Sequence, residues 1–174
     1  MLKGASIAAA FVALVLPFTA TAGSDTQATM AREPSLEALV LQRINEVRAT
    51  HGLRRLSASS GLTRAALTHS RSMVVDGFFA HESTNGAPFW KRLKSFYTPR
   101  SKGWTVGENL AMFGGAKPDA NAIVSSWMAS SPHRANLLNR QFSDAGVVIL
   151  YDVAAAGVYG GEPTWVVTLD VGAR

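Results

Sequence analysis

Two histidines and one glutamate are the side chains of this sequence best suited to carry out chemistry. His81 lies in the loop 78–86, whose phenylalanines are expected to anchor the backbone and leave the imidazole presented. His133 follows a Ser-Pro pair at a predicted helix start, where the helix dipole lowers the pKa of an imidazole and favours its neutral form. Glu108 stands in a Gly-Glu-Asn-Leu segment beside apolar residues, so we expect it to be half buried and to need a partner.

Two imidazoles and one carboxylate are a credible ligand set for a divalent metal. Zn²⁺ with an open fourth position for water suits these donors. The spacing alone does not decide the matter, since His81, Glu108 and His133 lie 27 and 25 positions apart and no local geometry brings them together. We expect structural roles for the other two histidines. His51 should be a capping or surface residue, and His69 should be buried with its imidazole hydrogen-bonded to the backbone.

Composition and missing motifs exclude several other kinds of site. The 174 residues contain no cysteine, which excludes disulfides, thiolate metal sites and a cysteine nucleophile. The sequence also lacks the GxxxxGK(S/T) phosphate loop, the GxSxG nucleophile elbow, the HExxH zinc helix and the GxGxxG dinucleotide motif. The net charge of +5 comes from scattered basic residues, so we expect no nucleic-acid partner. This positive charge could serve ordinary solubility, or it could attract anionic envelope polymers, and both interpretations remain open.

The first 22 residues are typical of a secretory signal peptide. Lys3 gives a positive start, an apolar run follows over 5–18, and an A-x-A motif places the cleavage after Ala22. The run is shorter than the about 20 residues of a membrane span and contains Pro17, so we expect cleavage and no stable membrane span afterwards. The chain is thus divided into a signal peptide at 1–22, a disordered lead-in at 23–34 and one domain at 35–174. We expect this domain to be secreted or periplasmic, and monomeric.

The elements that must position the candidate side chains can be predicted from periodicity and capping signals. Apolar residues at three- and four-residue steps predict helices over 35–50, 59–76, 119–129 and 131–139, with one or two further helical turns within 88–96. The C-terminal third alternates with a period of two, which predicts strands over 146–151 and 164–171 joined as an antiparallel hairpin. The stretch 78–106 is predicted to be rich in loops. This order of elements favours an α+β domain with helices packed on a small sheet.

A series of ordered motifs runs through the chain. They are Asn45-Glu46-Val47-Arg48, Ala66-x-x-His69 with Met73, Phe79-Ala80-His81-x-x-x-x-Gly86, Gly107-Glu108-Asn109-Leu110-Ala111, Trp127-x-x-Ser130-x-x-His133-Arg134-x-Asn136-Leu137-Leu138, and Phe142-x-x-x-Gly146-Val147. Together they resemble the CAP superfamily, the secreted proteins named after cysteine-rich secretory proteins, antigen 5 and pathogenesis-related 1, and specifically its bacterial branch. The resemblance covers about 36–171. It implies a three-layer α/β/α sandwich, with a small antiparallel sheet between helices and a large central cleft.

The resemblance also implies which residues line that cleft. His81, Glu108 and His133 match the family's cleft histidines and acid, which makes them the candidate metal ligands. Ser130 stands where the animal and plant branches carry a second acidic residue, and this leaves three polar groups instead of four. The residues expected to support the cleft are Asn109, Ser130, Arg134 and Asn136. The last two are expected to pair with the backbone around Glu108.

Three functions remain compatible with the resemblance. The first is an exported binding module whose cleft holds a divalent cation such as Zn²⁺ and receives an envelope component or a lipid-like ligand. The second is a metal-dependent hydrolase, either a peptidase or a nuclease, with Glu108 as the general base toward zinc-bound water. The third is a scaffold with an unused cleft. We rank the binding module first, because a hydrolase would need the same three polar groups to serve as ligands and base at once.

The middle of the chain is rich in aromatic residues. They are Phe78, Phe79, Phe89, Trp90, Phe96, Tyr97 and Trp104. Two interpretations stay open for them. The rings either pack beneath a long loop, which we favour, or form an apolar groove for a lipid-like ligand of the kind that some CAP proteins bind.

Overall fold

The structure is a computed structural model that describes residues 30–100 and 103–174. The α-helices are α1 (Pro34–Thr50), α2 (Ser60–Asp76), α3 (Phe89–Phe96), α4 (Ala120–Ala129) and α5 (Ser131–Leu137). The β-strands are β1 (Met30–Arg32), β2 (Ser57–Ala58), β3 (Thr105–Gly114), β4 (Asp144–Ala155) and β5 (Glu162–Ala173). The predicted signal peptide, its cleavage after Ala22 and residues 23–29 lie outside the described residues. Within 30–100 and 103–174, no helix is both long and apolar enough to cross a bilayer.

The strands form one sheet that is antiparallel except at β2. Its order is β1-β4-β5-β3, and the short β2 pairs in parallel with the start of β4. Residues of β4 and β5 alternate between two covered faces. Ile149 and Val167 pack with α1 and α4, whereas Val148 and Val166 pack with α2. Helices therefore cover both sides of a small sheet, which confirms the predicted α+β fold with its α/β/α layers.

Strand β3 is the main element that the sequence did not predict. It pairs with β5 along its whole length, from Thr105 opposite Ala173 to Gly114 opposite Thr164. Glycines and the polar pair Glu108-Asn109 interrupt the alternation that usually reveals a strand. Pairing with β5 outweighs this weak local preference, and it places Glu108 inside the sheet.

The N-terminal boundary of the folded part lies earlier than predicted. Met30–Arg32 form β1 against β4, so the assignment of these residues to a disordered lead-in is wrong. Three residues carry too little periodicity to reveal an edge strand. Helix α1 then begins at Pro34, whose fixed φ suits the first helical turn. The predicted turns within 88–96 are confirmed as α3, and α5 ends at Leu137 instead of near Asn139.

Helix α2 has clear capping signals at both ends. The Ser59 side chain accepts a hydrogen bond from the backbone N–H of Leu62, which satisfies a free donor of the first turn. Gly77 ends the helix with φ 68°, a left-handed conformation that glycine adopts without a steric penalty. These two signals position the helix that covers the Glu108 side of the sheet.

The start of α2 lies directly against β4 at Gly146. A Cβ atom built at Gly146 would stand 2.2 Å from the backbone nitrogen of Thr63 and 2.3 Å from the carbonyl carbon of Leu62. Gly146→Ala is therefore expected to lower the free energy of unfolding by about 1–3 kcal/mol, because α2 would have to move away from the sheet. Urea denaturation followed by circular dichroism measures this loss.

Gly114→Ala is the matched control for that substitution. Gly114 also lies in a strand, but a Cβ atom there would meet nothing within 4 Å. We expect this variant to be as stable as the wild type or slightly more stable, because alanine restricts the unfolded chain. Equal stability of the two variants would contradict the close approach of α2 to Gly146.

A buried arginine connects α1 to the segment that follows α5. Arg48 is fully buried in the structure, and its guanidinium donates to backbone carbonyls. Nε binds the Arg54 carbonyl at 2.8 Å, and Nη1 binds those of Leu137 and Asn139 at 2.7 and 3.0 Å. Nη2 donates to the Phe142 carbonyl at 3.4 Å. One side chain thus fixes the C-terminal end of the helix that carries His133.

Candidate functional site

Glu108 lies at the centre of the candidate site and is bonded on both of its carboxylate oxygens. Its side chain is 0% exposed. Oε1 accepts a hydrogen bond of 2.8 Å from His81 Nδ1, and Oε2 accepts one from Arg92 Nη2. A buried carboxylate is stable only when it is paired and hydrogen-bonded. The expectation that Glu108 needs a partner is confirmed, and Arg92 is a partner that the sequence analysis did not identify.

Arg92 reaches the site from α3 and holds the loop that carries His81. Its side chain is 6% exposed, and its Nη1 donates to the hydroxyl of Ser83 at 3.1 Å. The two lysines of α3, Lys91 and Lys94, are exposed, whereas Arg92 turns inward toward β3. No local pattern distinguishes Arg92 from the two lysines of α3, so only the position of α3 beside Glu108 reveals its role.

The side chain of His81 is 44% exposed. The hydrogen bond to Glu108 raises the pKa of His81 above its usual value, and burial opposes this effect. The ring of Phe89 lies against the imidazole, with centroids 6.3 Å apart. Because Nδ1 is committed to Glu108, Nε2 is the nitrogen through which His81 can bind a ligand.

His133 lies in the first turn of α5, close enough to His81 for the charge of His81 to affect its pKa. Its backbone carbonyl accepts a hydrogen bond of 3.0 Å from the side chain of Asn109, the residue after Glu108. Burial lowers the pKa of His133, and the nearby charge of His81 lowers it further. The structure therefore favours a neutral imidazole at His133, as predicted, although burial is the main cause.

Two asparagines fix the position of α5 on β3. Asn136 Nδ2 donates to the Glu108 carbonyl at 3.1 Å and to Asn109 Oδ1 at 2.9 Å. The expected pairing of Asn136 with the backbone around Glu108 is confirmed. The same expectation is wrong for Arg134, which donates to the Met128 carbonyl at 2.9 Å because it points toward the end of α4. Ser130 is the N-cap residue of α5, without a capping hydrogen bond from its side chain.

Asp170 is a second buried acid at the site, and no pattern in the sequence singled it out. It lies directly opposite Glu108 in the β3–β5 register and is fully buried. Strand β5 alternates between two covered faces, so its polar residues Thr168 and Asp170 are buried on the side of α2. Burial and the negative charge of Glu108 raise the pKa of Asp170 well above its usual value.

The structure brings the predicted metal ligands together only in part. His81 contacts Glu108 directly, and His133 is near enough for its pKa to respond to His81. Across the described ranges, however, no three His, Cys, Asp or Glu side chains are arranged as a metal site. Glu108 orients His81 through Oε1 and pairs with Arg92 through Oε2, and the imidazoles of His81 and His133 are the candidate ligands for a cation.

The other histidines have the structural roles predicted for them. His69 is buried and donates from Nε2 to the Ala80 carbonyl at 2.8 Å. His51 is exposed after α1 and donates from Nδ1 to the Val47 carbonyl at 2.8 Å. Of the aromatic residues in the middle of the chain, Tyr97 is buried, most others are partly buried against hydrophobic clusters, and Trp90 is 41% exposed.

Comparison with known proteins identifies the kind of domain that this site belongs to. A sequence profile described as CAP, the cysteine-rich secretory protein family, matches residues 41–167. The chain is 33% identical over 132 residues to the uncharacterized protein YkwD of Bacillus subtilis, covering 75% of this chain and 49% of YkwD. The chain therefore spans about half the length of that relative.

Solved structures show the same architecture. An extracellular protein containing a SCP domain from Bacillus anthracis matches with a TM-score of 0.63 and 26% identity, over 82% of this chain and 41% of that one. An outer surface protein of Borrelia burgdorferi matches with a TM-score of 0.65 over 83% of this chain and 98% of its own. Its 15% identity shows the shared fold alone.

Proposed function

Because the chain belongs to the cysteine-rich secretory protein (CAP) family, we propose that it is an exported binding module whose cleft holds a divalent cation through His81 and His133. The observation that carries this proposal is the 2.8 Å hydrogen bond from His81 Nδ1 to Glu108. Histidines that bind metals commonly donate their second ring nitrogen to a carboxylate, which fixes the tautomer and the ring orientation.

The chemistry of the two imidazoles fits a cation such as Zn²⁺. A neutral imidazole is a good zinc ligand, and burial favours the neutral form of His133. His81 must release its proton to bind, so cation affinity should rise with pH. Bound zinc would supply a Lewis-acid centre. Two protein ligands leave the remaining coordination positions to water or to donor atoms of a ligand.

The same geometry favours binding over hydrolysis. A general base must reach the proton of an attacking water. Glu108 is fully buried, and its two oxygens accept hydrogen bonds from His81 and Arg92. A base role would require Glu108 to break one of these contacts, so the hydrolase ranks second.

Export and an envelope ligand complete the proposed function. The signal-peptide pattern at 1–22 supports export, and the similar SCP-domain protein of Bacillus anthracis is described as extracellular. The net charge of +5 suits anionic envelope polymers or phospholipid headgroups. Trp90 is an exposed aromatic side chain one residue after Phe89, which contacts His81. We propose this exposed ring as an apolar contact for a lipid-like or envelope ligand.

Zinc titration of the purified domain by calorimetry tests the cation site. We expect the wild type to bind zinc and both His81→Ala and His133→Ala to bind it at least tenfold more weakly. His51→Ala is the matched control, because it removes an exposed imidazole at the end of α1 and should leave binding unchanged. A wild type that does not bind zinc, or four proteins that bind it equally, would refute the site.

The ligand and the hydrolase hypotheses require separate measurements. Binding to vesicles that contain anionic phospholipid, compared with vesicles of neutral phospholipid, tests the envelope ligand. Zinc-dependent cleavage of a peptide or nucleic acid that disappears in both His81→Ala and Glu108→Gln would favour the hydrolase instead.

A further inference from the structure

Asp170 occupies an unusual position beneath the candidate site. It lies on β5 directly opposite Glu108 on β3, and cross-strand partners of this kind project to the same face of a sheet. Its side chain is fully buried. Burial and strand register thus place two carboxyl groups side by side in the interior, where desolvation and the charge of Glu108 raise the pKa of Asp170.

The surroundings of Asp170 do not supply the hydrogen-bond donors that an ionised carboxylate needs. Neither of its oxygens has a hydrogen-bond donor within the described parts of the chain. The nearby hydroxyls of Ser70 and Thr168 bond to each other at 2.8 Å. A buried carboxylate without donors is strongly unfavourable, and a second carboxylate beside it adds repulsion.

We propose that Asp170 is a neutral carboxylic acid in the folded domain and donates its proton in a hydrogen bond to the Glu108 carboxylate. Asp170 is then a positioning residue. Its O–H is a third donor to Glu108, beside His81 Nδ1 and Arg92 Nη2. Three donors from a loop, a helix and a strand fix the carboxylate that orients His81. This arrangement belongs to the metal-free domain and does not depend on the proposed cation or ligand.

The charged groups around Asp170 support a neutral acid. Burial and Glu108 on β3 both raise the pKa of Asp170, whereas Arg92 on α3 lowers it. The Arg92 guanidinium is already bonded to Glu108 through Nη2 and to Ser83 through Nη1. On α2, burial lowers the pKa of His69, which keeps that imidazole neutral near the pair. Arg92 therefore neutralises one of the two carboxyl groups, and Glu108 is the one that it contacts.

Carbon-13 NMR of the aspartate carboxyl carbons of the metal-free domain tests the protonation state directly. At pH 6 an ordinary aspartate with a pKa of about 3.9 is only about 1% protonated. We expect the Asp170 signal to show more than half protonation at pH 6, an increase of about fifty-fold. A carboxylate signal for Asp170 at pH 6 would overturn the proposal. The wild-type protein suffices for this measurement.

The titration of His81 in two variants gives an independent readout. If Asp170 is neutral, Asp170→Asn replaces one uncharged group by another and leaves the pKa of His81 unchanged. If Asp170 is ionised, the same substitution removes a negative charge next to Glu108 and lowers the pKa of His81. Asp76→Asn, which removes an exposed carboxylate, serves as the control. A clear decrease in Asp170→Asn alone would also overturn the proposal.

Discussion

Arg48→Met is expected to lower the free energy of unfolding by about 3–5 kcal/mol. Arg48 is fully buried and donates to four backbone carbonyls, those of Arg54, Leu137, Asn139 and Phe142. Methionine fills much of the same space but donates no hydrogen bonds. The substitution leaves buried acceptors unpaired, and this penalty exceeds the gain from removing a buried charge. Urea denaturation at neutral pH measures the loss.

Two further variants separate this effect from a general loss of charge or volume. Arg43→Met removes a partly exposed arginine of the same helix, whose ion pair with Glu46 lies at the surface, and should change stability by less than about 0.5 kcal/mol. Arg48→Lys retains the charge but cannot reproduce the planar guanidinium, so it should fall between the other two. Equal stability of Arg48→Met and Arg43→Met would contradict the structural role of Arg48.

The consequence of Arg48 for the site follows from the residues that it binds. Leu137 ends α5, and Asn139 follows it, so the guanidinium fixes the C-terminal end of the helix that carries His133. Asn136 fixes the same helix to β3 through the Glu108 carbonyl. The position of His133 thus depends on contacts with both α1 and β3, and these are far apart in the sequence.

The parts of the fold that the sequence could predict are those with strong local signals. Helix α2 carries an apolar stripe, a serine cap and a terminal glycine, and it was predicted within one residue of its observed bounds. Strand β3 was missed because Gly107, Glu108 and Asn109 give no alternation, and its identity depends on pairing with β5. Long-range pairing of this kind leaves little trace in a local pattern.

The candidate site also contains residues that the sequence could identify and residues that only the fold reveals. His81, Glu108 and His133 could be selected from residue type and from their resemblance to a family, whereas Arg92 and Asp170 could not. Both become visible only when α3 and β5 are placed around Glu108. The groups around Glu108 determine its chemical role. In this arrangement Glu108 orients His81 and neutralises the charge of Arg92.

Glu108→Gln is expected to lower the free energy of unfolding by about 3–5 kcal/mol at pH 7. The substitution preserves the shape of the side chain but leaves the guanidinium of Arg92, which is 6% exposed, without its ionised partner. Breaking one half of a buried ion pair leaves an uncompensated charge, and this explains the size of the effect. Glu46→Gln, at an exposed ion pair on α1, is the control and should leave the stability nearly unchanged. Similar losses in both variants would show that the Arg92–Glu108 pair has no special role.

The pH dependence of stability provides a second test of the same substitution. In the wild type, Glu108 raises the pKa of His81 above its unfolded value of about 6.5. The stability that protonated His81 contributes is therefore complete below about pH 6.5 and is lost as the pH rises through the raised pKa. Glu108→Gln should lower the pKa of His81 and remove this dependence. An unchanged slope between pH 6 and pH 8 would contradict the importance of the His81–Glu108 hydrogen bond.

Asp170 should respond to Glu108→Gln by losing its proton more readily. The negative charge of Glu108 contributes to the raised pKa of Asp170, and Arg92 opposes it. Once Glu108 is replaced by a neutral amide, the cost of ionising Asp170 falls, because the positive charge of Arg92 is no longer offset by a carboxylate at position 108. We therefore expect the carbon-13 signal of Asp170 to shift toward the ionised form at pH 6 in Glu108→Gln. An Asp170 signal that stays fully protonated in this variant would show that burial alone controls the acid, and that the two carboxyl groups are not coupled.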